Sequence, residues 1–236
     1  MDIHNLSIEK IINSNYNCAS ILLSEKINLC NNKDKKLSQI IAKKKANEIL
    51  DKINNLEKDS FQYDKTIYGE WETEKIINHI IFNHHKYVRQ VISELIPLFS
   101  YKCVIHNKSD IKLEEIENCF KNISQELEKH MNKEESRLFP YIHLLESCMQ
   151  SIISPVKSIE YELIECEHSS TDEMMQELKY LTNNYTIDKD ACLVSIAIFG
   201  ILKEFEDNLN KHIHLEDNIL FKRAKEIEKK KNNEST

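Results

Sequence analysis

Two stretches of this sequence repeat one pairing of a nitrogen base with an oxygen base. His130 is followed four residues on by Glu134, and His212 is followed four residues on by Glu216. On an α-helix a step of four stacks two side chains on one face. An imidazole and a carboxylate arranged that way can ligate one cation together, and the carboxylate has a second oxygen for a neighbouring cation. In a chain with ten histidines chance alone supplies such pairs. What matters is where they fall.

They fall on apolar stripes. The first stripe reads Leu113, Ile116, Phe120, Ile123, Leu127, His130, Glu134, Leu138, Ile142, Leu145, and a second reads Ser195, Ile198, Leu202, Phe205, Leu209, His212, Glu216, Leu220, Arg223. A third runs Ile164, His168, Met175, Leu178, and a fourth Ile77, Ile81, His85, Val88, Ile92, Leu95. His85 continues the +4, +4, +3 spacing, whereas its neighbour His84 is a step of ~100° round the helix. An ionised carboxylate in an apolar seam costs several kcal/mol unless it is paired or coordinated. One buried histidine is ordinarily a hydrogen-bonded core residue. Four arriving with two glutamates suit a pair of transition metals, iron, zinc or copper by their imidazole content, with carboxylate oxygens spanning the ~3.5–4 Å between the ions.

Elements must position these residues, and composition limits which. The 236 residues include only 2 Gly and 3 Pro. Two glycines exclude a G-x-G-x-x-G fingerprint, and Gly69 and Gly200 lie too far apart for a Walker A loop. The sequence therefore predicts an all-α protein. Four long periodic segments are expected: about Thr73 to Leu98, stopping near Pro97; Asp110 to Leu145; Ser154-Pro155, a capping serine with proline at the first helical position, to Asn183; and Asp188 to Lys230. Short connections make these an antiparallel four-helix bundle. Ahead of it Ser7 to Leu56 carries short helical patterns broken by polar turns at Asn13–Asn15 and Asn31–Asp34. The expected organisation is a small N-terminal helical domain over 1–57, a linker over 58–73, the bundle with its metal site over 74–230 and a tail over 231–236.

Charge and cysteine content narrow the function. A net charge of -7, mixed along the chain, predicts no nucleic-acid partner. No apolar run reaches the ~18 residues of a membrane span, and Asp2, His4, Asn5, Glu9 and Lys10 are unlike a signal peptide. A cytoplasmic protein is expected, with no membrane association. Seven cysteines with no C-x-x-C pair exclude a zinc knuckle, and buried thiols are expected, Cys30 apart.

The segments His130-Met131-Asn132-Lys133-Glu134-Glu135 followed by Leu138-Phe139-Pro140, Glu167-His168, and His212-Ile213-His214-Leu215-Glu216-Asp217-Asn218-Ile219-Leu220-Phe221 resemble the repair-of-iron-centres (YtfE/ScdA) family of di-iron, hemerythrin-like proteins. The resemblance extends to Asn17–Leu56, which is similar to the family's small N-terminal domain. It implies a hemerythrin-like bundle with two iron ions on His85, His130, Glu134, His168, His212 and Glu216, both glutamates bridging and a small oxide or hydroxide bridge between the irons. It implies carboxylates lining the approach at Glu126 and Glu167. It also implies a function: repair of iron-sulfur clusters damaged by nitric oxide or oxidative stress, through iron donation or nitrogen oxide handling. Partners would be damaged iron-sulfur proteins, with nitric oxide, peroxide or oxygen as small ligands; a monomer and a homodimer both remain open. Where the family has adjacent cysteines followed by two glycines, this chain reads Cys30-Asn31-Asn32-Lys33, leaving Cys30 as the one N-terminal thiol of interest.

Three other functions compete. A hemerythrin-like oxygen or redox sensor or carrier uses a His-x-x-x-His pair on the third helix, but position 172 is Asp. Its fourth helix uses His-x-x-x-x-Asp, yet Asp217 lies ~140° round an ideal helix from His212 and Glu216 only ~40°. A helical interaction module predicts no metal. A di-metal hydrolase or oxygenase needs a substrate pocket that no motif supplies. No catalytic residue in the usual sense is expected.

Overall fold

The computed structural model of the chain describes residues 6–59, 68–101, 110–146, 159–187 and 191–234. Among these residues every regular element is helical, with one isolated antiparallel bridge between Ser7 and Lys36. No helix among them is long and apolar enough to cross a membrane.

Four helices come first: α1 (Ile8–Ser14), α2 (Cys18–Ser24), α3 (Leu37–Ile40) and α4 (Lys43–Asp59). Ser7 caps α1, its hydroxyl accepting from the Lys10 N–H. Helix α2 ends with Lys26 in the left-handed region at φ 60°. The Lys26 N–H reaches the Leu23 carbonyl and the Ile27 N–H reaches that of Leu22, a Schellman pattern that satisfies the last carbonyls. The segment from Cys30 to Asn32 is a short 3₁₀ turn. Ile8, Ile11, Ile12, Leu22, Ile49 and Ile53 are fully buried.

The remaining helices join into four longer rods, and three turns within them widen. Helix α5 (Thr73–His79) passes through a π turn at Ile80–His85 into α6 (Lys86–Phe99). Helix α7 (Asp110–Lys133) passes through Glu134–Leu138 into α8 (Phe139–Glu146). Helix α9 (Ile159–Leu181) is uninterrupted, and α10 (Leu193–Leu215) passes through Glu216–Leu220 into α11 (Phe221–Glu234). The starts expected at Ser154-Pro155 and Asp188 lie outside the described residues. Pro97 does not stop α6: the helix runs two residues further and closes with Ser100 N–H to the Pro97 carbonyl and Tyr101 N–H to that of Leu98. A proline forfeits only its own N–H bond to the carbonyl four residues before it, so the N–H groups that follow can still close a last turn.

The first π turn also corrects the stripe read on this helix. Ile80, Val88, Val91 and Leu95 are buried, whereas Ile81 and Ile92 are only partly so. A turn that holds an extra residue rotates everything on one side of it relative to an ideal 3.6-residue repeat.

The described residues form two compact units. One comprises residues up to 63, 90–118 and 179–205; the other comprises 64–89, 119–178 and 206 onward. In the second, segments of α5–α6, α7–α8, α9 and α10–α11 gather as a helical bundle. Its apolar cluster includes Ile76, Ile80, Phe139, Ile142, Ile164, Leu220 and Phe221, and beside it lies the polar interior described next.

Candidate metal centre

Six polar side chains converge inside the second unit. Each of the four rods sends one imidazole inward: His85 from the π turn after α5, His130 from α7, His168 from α9 and His212 from α10. Glu134 and Glu216, the first residues of the other two π turns, complete the set. All six are buried, Glu134 and Glu216 completely. They form two groups, His85, Glu134, His212, Glu216 and His130, Glu134, His168, Glu216, in each of which the four ligand atoms lie within 4.8 Å of one another. Both groups share both glutamates, as two cations bridged by carboxylates require.

The inward atoms are consistently Nε2. Glu134 stands 3.4 Å from His85 Nε2 and 3.3 Å from His130 Nε2; Glu216 stands 2.8 Å from His212 Nε2 and 3.3 Å from His168 Nε2. Nitrogen also faces nitrogen, at 3.1 Å between His85 and His212 and at 3.1 Å between His130 and His168. Both oxygens of Glu134 and one of Glu216 are buried without a hydrogen bond. Buried carboxylate oxygens left unmatched beside converging imidazole nitrogens are costly in a purely organic interior and suit cations. The mixed nitrogen and oxygen donor set fits a di-iron site.

The outward nitrogens explain how the imidazoles are aimed. Nδ1 of His85 meets Glu135 at 2.7 Å, Nδ1 of His168 meets Asp217 at 2.9 Å, and Nδ1 of His130 meets Glu167 at 3.0 Å. A carboxylate on the far nitrogen fixes ring orientation and raises the donor strength of the near one. Glu135 and Asp217 each directly follow a bridging-position glutamate. The second and third π turns close on Phe139, whose N–H bonds the Glu134 carbonyl, and on Phe221, whose N–H bonds that of Glu216. Those two rings stack on His85 and His168, with centroids 5.7 and 6.3 Å away. π turns concentrate at functional sites, and here the two that begin at Glu134 and Glu216 each aim a carboxylate inward, its neighbour at a histidine and a phenylalanine against that histidine's ring.

The clustered imidazoles and carboxylates shift one another's proton affinity. Burial works against a charged His85, but Glu134 and Glu216 outweigh it and push the group up to about 10. His168 is likewise raised to about 10 against burial, by Asp217 and Glu216. Burial opposes ionisation of Glu216 too, yet the surrounding imidazoles hold it well below the usual carboxylate range. A ligating imidazole must be neutral and a ligating carboxylate ionised, so cations and protons compete for these atoms. His84 differs: burial and the nearby His212 push it down to about 4.

The structure separates neighbours that the sequence leaves close. His85 joins the cluster, whereas His84 is buried beside it and bonds Asn208 Oδ1 through Nδ1 at 3.1 Å. His214 is exposed and bonds Asn218. Glu167 touches His130 and Lys133. Glu126 faces solvent and pairs with Lys129 at 2.7 Å, away from the cluster. Cys30 is half-buried in the first unit. The expectation of buried thiols holds for Cys18 and Cys119, but Cys192 is half-buried and Cys166 exposed; Cys103 and Cys148 lie outside the described residues. Sequence reasoning missed Glu135 and Asp217 as partners. The signal was present: an acidic residue follows the glutamate in both His-x-x-x-Glu motifs.

A helical bundle whose interior gathers four imidazoles around two shared carboxylates defines a cation-binding protein of hemerythrin type. Residues 76–224 match the family model described as the hemerythrin HHE cation binding domain. The chain is 36% identical over 150 residues to a probable iron-sulfur cluster repair protein of Haemophilus influenzae, a match covering 64% of each chain. It is 30% identical over 190 residues to the iron-sulfur cluster repair protein YtfE of Citrobacter koseri, covering 79% of this chain and 83% of that one. It is 32% identical over 162 residues to the repair protein DnrN of Neisseria gonorrhoeae, covering 67% and 98%. The chain thus spans a little under two thirds of the Haemophilus relative and nearly all of the Neisseria one. It belongs to the hemerythrin HHE family, in its iron-sulfur cluster repair branch.

Proposed function

We propose that this chain is a di-iron protein that repairs iron-sulfur clusters damaged by nitric oxide or oxidative stress. His85, His130, His168 and His212 would hold the two irons, with Glu134 and Glu216 bridging. The observation that carries this reading is the pair of four-residue groups sharing both glutamates in a buried interior. The iron supplies, when bound, a redox-active and exchangeable cation that nitrogen oxides and peroxide can reach.

The chain's residues account for holding the iron and for letting it go. Six side chains shared between two cations leave positions for a small bridge and for an exogenous ligand. Three of the imidazoles, His85, His130 and His168, are aimed from outside by Glu135, Glu167 and Asp217, so they stay in place. Glu134 and Glu216 are the contacts common to both cations, so loosening either would loosen the hold on both. Iron donated in this way goes to damaged iron-sulfur proteins, the partners that the relatives' names imply, in the cytoplasm. Those names favour repair over the oxygen or redox sensor or carrier.

The test mixes iron-loaded protein, anaerobically, with an enzyme whose iron-sulfur cluster was damaged by nitric oxide, and follows recovery of that enzyme. Recovery above that given by an equal amount of free ferrous iron, lost in His168→Ala, is the expected result. No excess recovery together with reversible oxygen binding would overturn repair in favour of carriage.

A further inference from the structure

The centre is built nearly twice over, and the place where the repetition breaks assigns different strengths to its halves. Helix α7 contributes His130, Glu134, Glu135 and Phe139 with its π turn; α10 contributes His212, Glu216, Asp217 and Phe221 with its own. Facing them, His85 receives Glu135 and Phe139, and His168 receives Asp217 and Phe221. One more correspondence completes the pattern. The residue before His168 is Glu167, which reaches across to His130 Nδ1 at 3.0 Å. The residue before His85 is His84, which reaches across to His212.

His84 cannot do there what Glu167 does. Its ring lies nearly parallel to that of His212, 11° apart in plane with centroids 5.7 Å apart, and its Nδ1 is committed to Asn208. His212 Nδ1 is buried with no hydrogen-bond partner, and so is His84 Nε2. Three of the four inward imidazoles are therefore polarised by a carboxylate, and His212 is not. Near the His130–His168 half stand two outer carboxylates, Glu167 and Asp217, and near the His85–His212 half only one, Glu135; Glu167 and Glu135 each also hold a basic side chain, Lys133 and Arg89.

We infer that the two half-sites are unequal, that the His85–His212 half releases its cation first, and that His84 sets this order as a positioning residue. The inference rests on the di-iron reading of the same six residues. An outer carboxylate on a ligating histidine typically changes metal affinity about 10–100-fold, so a difference of about that size between the halves is expected.

The full-length protein is loaded with ferrous iron without oxygen and mixed with excess chromogenic chelator, and release is followed by absorbance. Two phases of equal amplitude, separated about 10-fold or more in rate, are expected. Glu167→Gln keeps the shape of a part-exposed side chain and should speed the slow phase alone. His84→Glu offers His212 a carboxylate and should slow the fast phase alone. A single phase from protein holding two irons, or Glu167→Gln acting on the fast phase, overturns the inference. Should His84→Glu fail to fold, Glu167→Gln decides. Protein that never holds two irons overturns the di-iron reading itself, so the two failures are distinguishable.

Discussion

Ile8, Ile11, Ile12, Leu22 and Ile53 in the first unit are buried as deeply as His85, Glu134, His212 and Glu216 in the second, yet the two sets do opposite things to the fold. Burying an aliphatic side chain stabilises by roughly 1.5–3 kcal/mol, so the first interior is justified by folding alone. Burying imidazoles and carboxylates costs free energy unless every charge is matched, and in the second interior three carboxylate oxygens have no hydrogen bond. The comparison teaches where function lies. An interior that packing does not explain is explained by what it is kept ready to hold.

The largest effect should come from breaking that readiness. Glu134→Ala or Glu216→Ala removes an oxygen pair that both half-sites share, so elemental analysis after anaerobic purification should find both irons lost, not one. Retention of one full iron would mean that the glutamates do not bridge. His85→Ala and His212→Ala should each reduce iron content strongly, whereas His84→Ala and His214→Ala should leave two irons bound. Equal loss in His212→Ala and His214→Ala would sink the assignment of the inward face of α10.

These same residues show how far the sequence could be read. The stripes on the rods converge on His85, His130, Glu134, His168, His212 and Glu216, because an α-helix returns to the same face within three or four residues. The all-α class was legible for the same reason, with two glycines in the whole chain. The π turns were not legible. They widen the backbone locally, and they moved burial on the first rod from Ile81 and Ile92 to Ile80 and Val91. Asp217 shows the other blind spot. Its angle from His212 on an ideal helix argued against a ligand role, but its partner is His168 on another rod, and no single-helix geometry foresees that contact.

A smaller effect sharpens the comparison from the apolar side. Gly200 is buried within α10, in the part that belongs to the first unit, and a Cβ added there would fall on the ring of Tyr16. Ordinarily Gly→Ala inside a helix stabilises by roughly 0.5–1 kcal/mol. Here overpacking, typically ~1–3 kcal/mol, should win, and Gly200→Ala should lower the thermal midpoint while leaving iron content unchanged. A raised midpoint would show that the Tyr16 ring moves aside freely. Lost iron would show that the two interiors are not chemically separate.

The smallest effect concerns the surface of the first unit, where charge is matched in solvent instead of in the interior. Glu25, beyond the end of α2, sits 2.9 Å from Lys45 and 2.8 Å from Lys52 on α4. Hydrogen bonds from Lys52 and then Lys45 lower its carboxyl from 4.5 to about 2. A carboxylate depressed in the folded state adds stability that is complete above its unfolded value and disappears as pH falls through its folded one. Glu25→Gln should therefore increase hydrogen exchange in α2 and α4 slightly at neutral pH, and the difference from the parent should close between pH 4.5 and about 2. Because exposed pairs are screened by salt, the difference should also shrink at high ionic strength. The buried cluster should behave otherwise, since its charges are shielded from mobile ions and its iron content should be indifferent to moderate salt. If the Glu25→Gln difference survives unchanged at pH 2, packing of the glutamate stem and not its charge ties α2 to α4, and the first unit is apolar in its logic even at its surface.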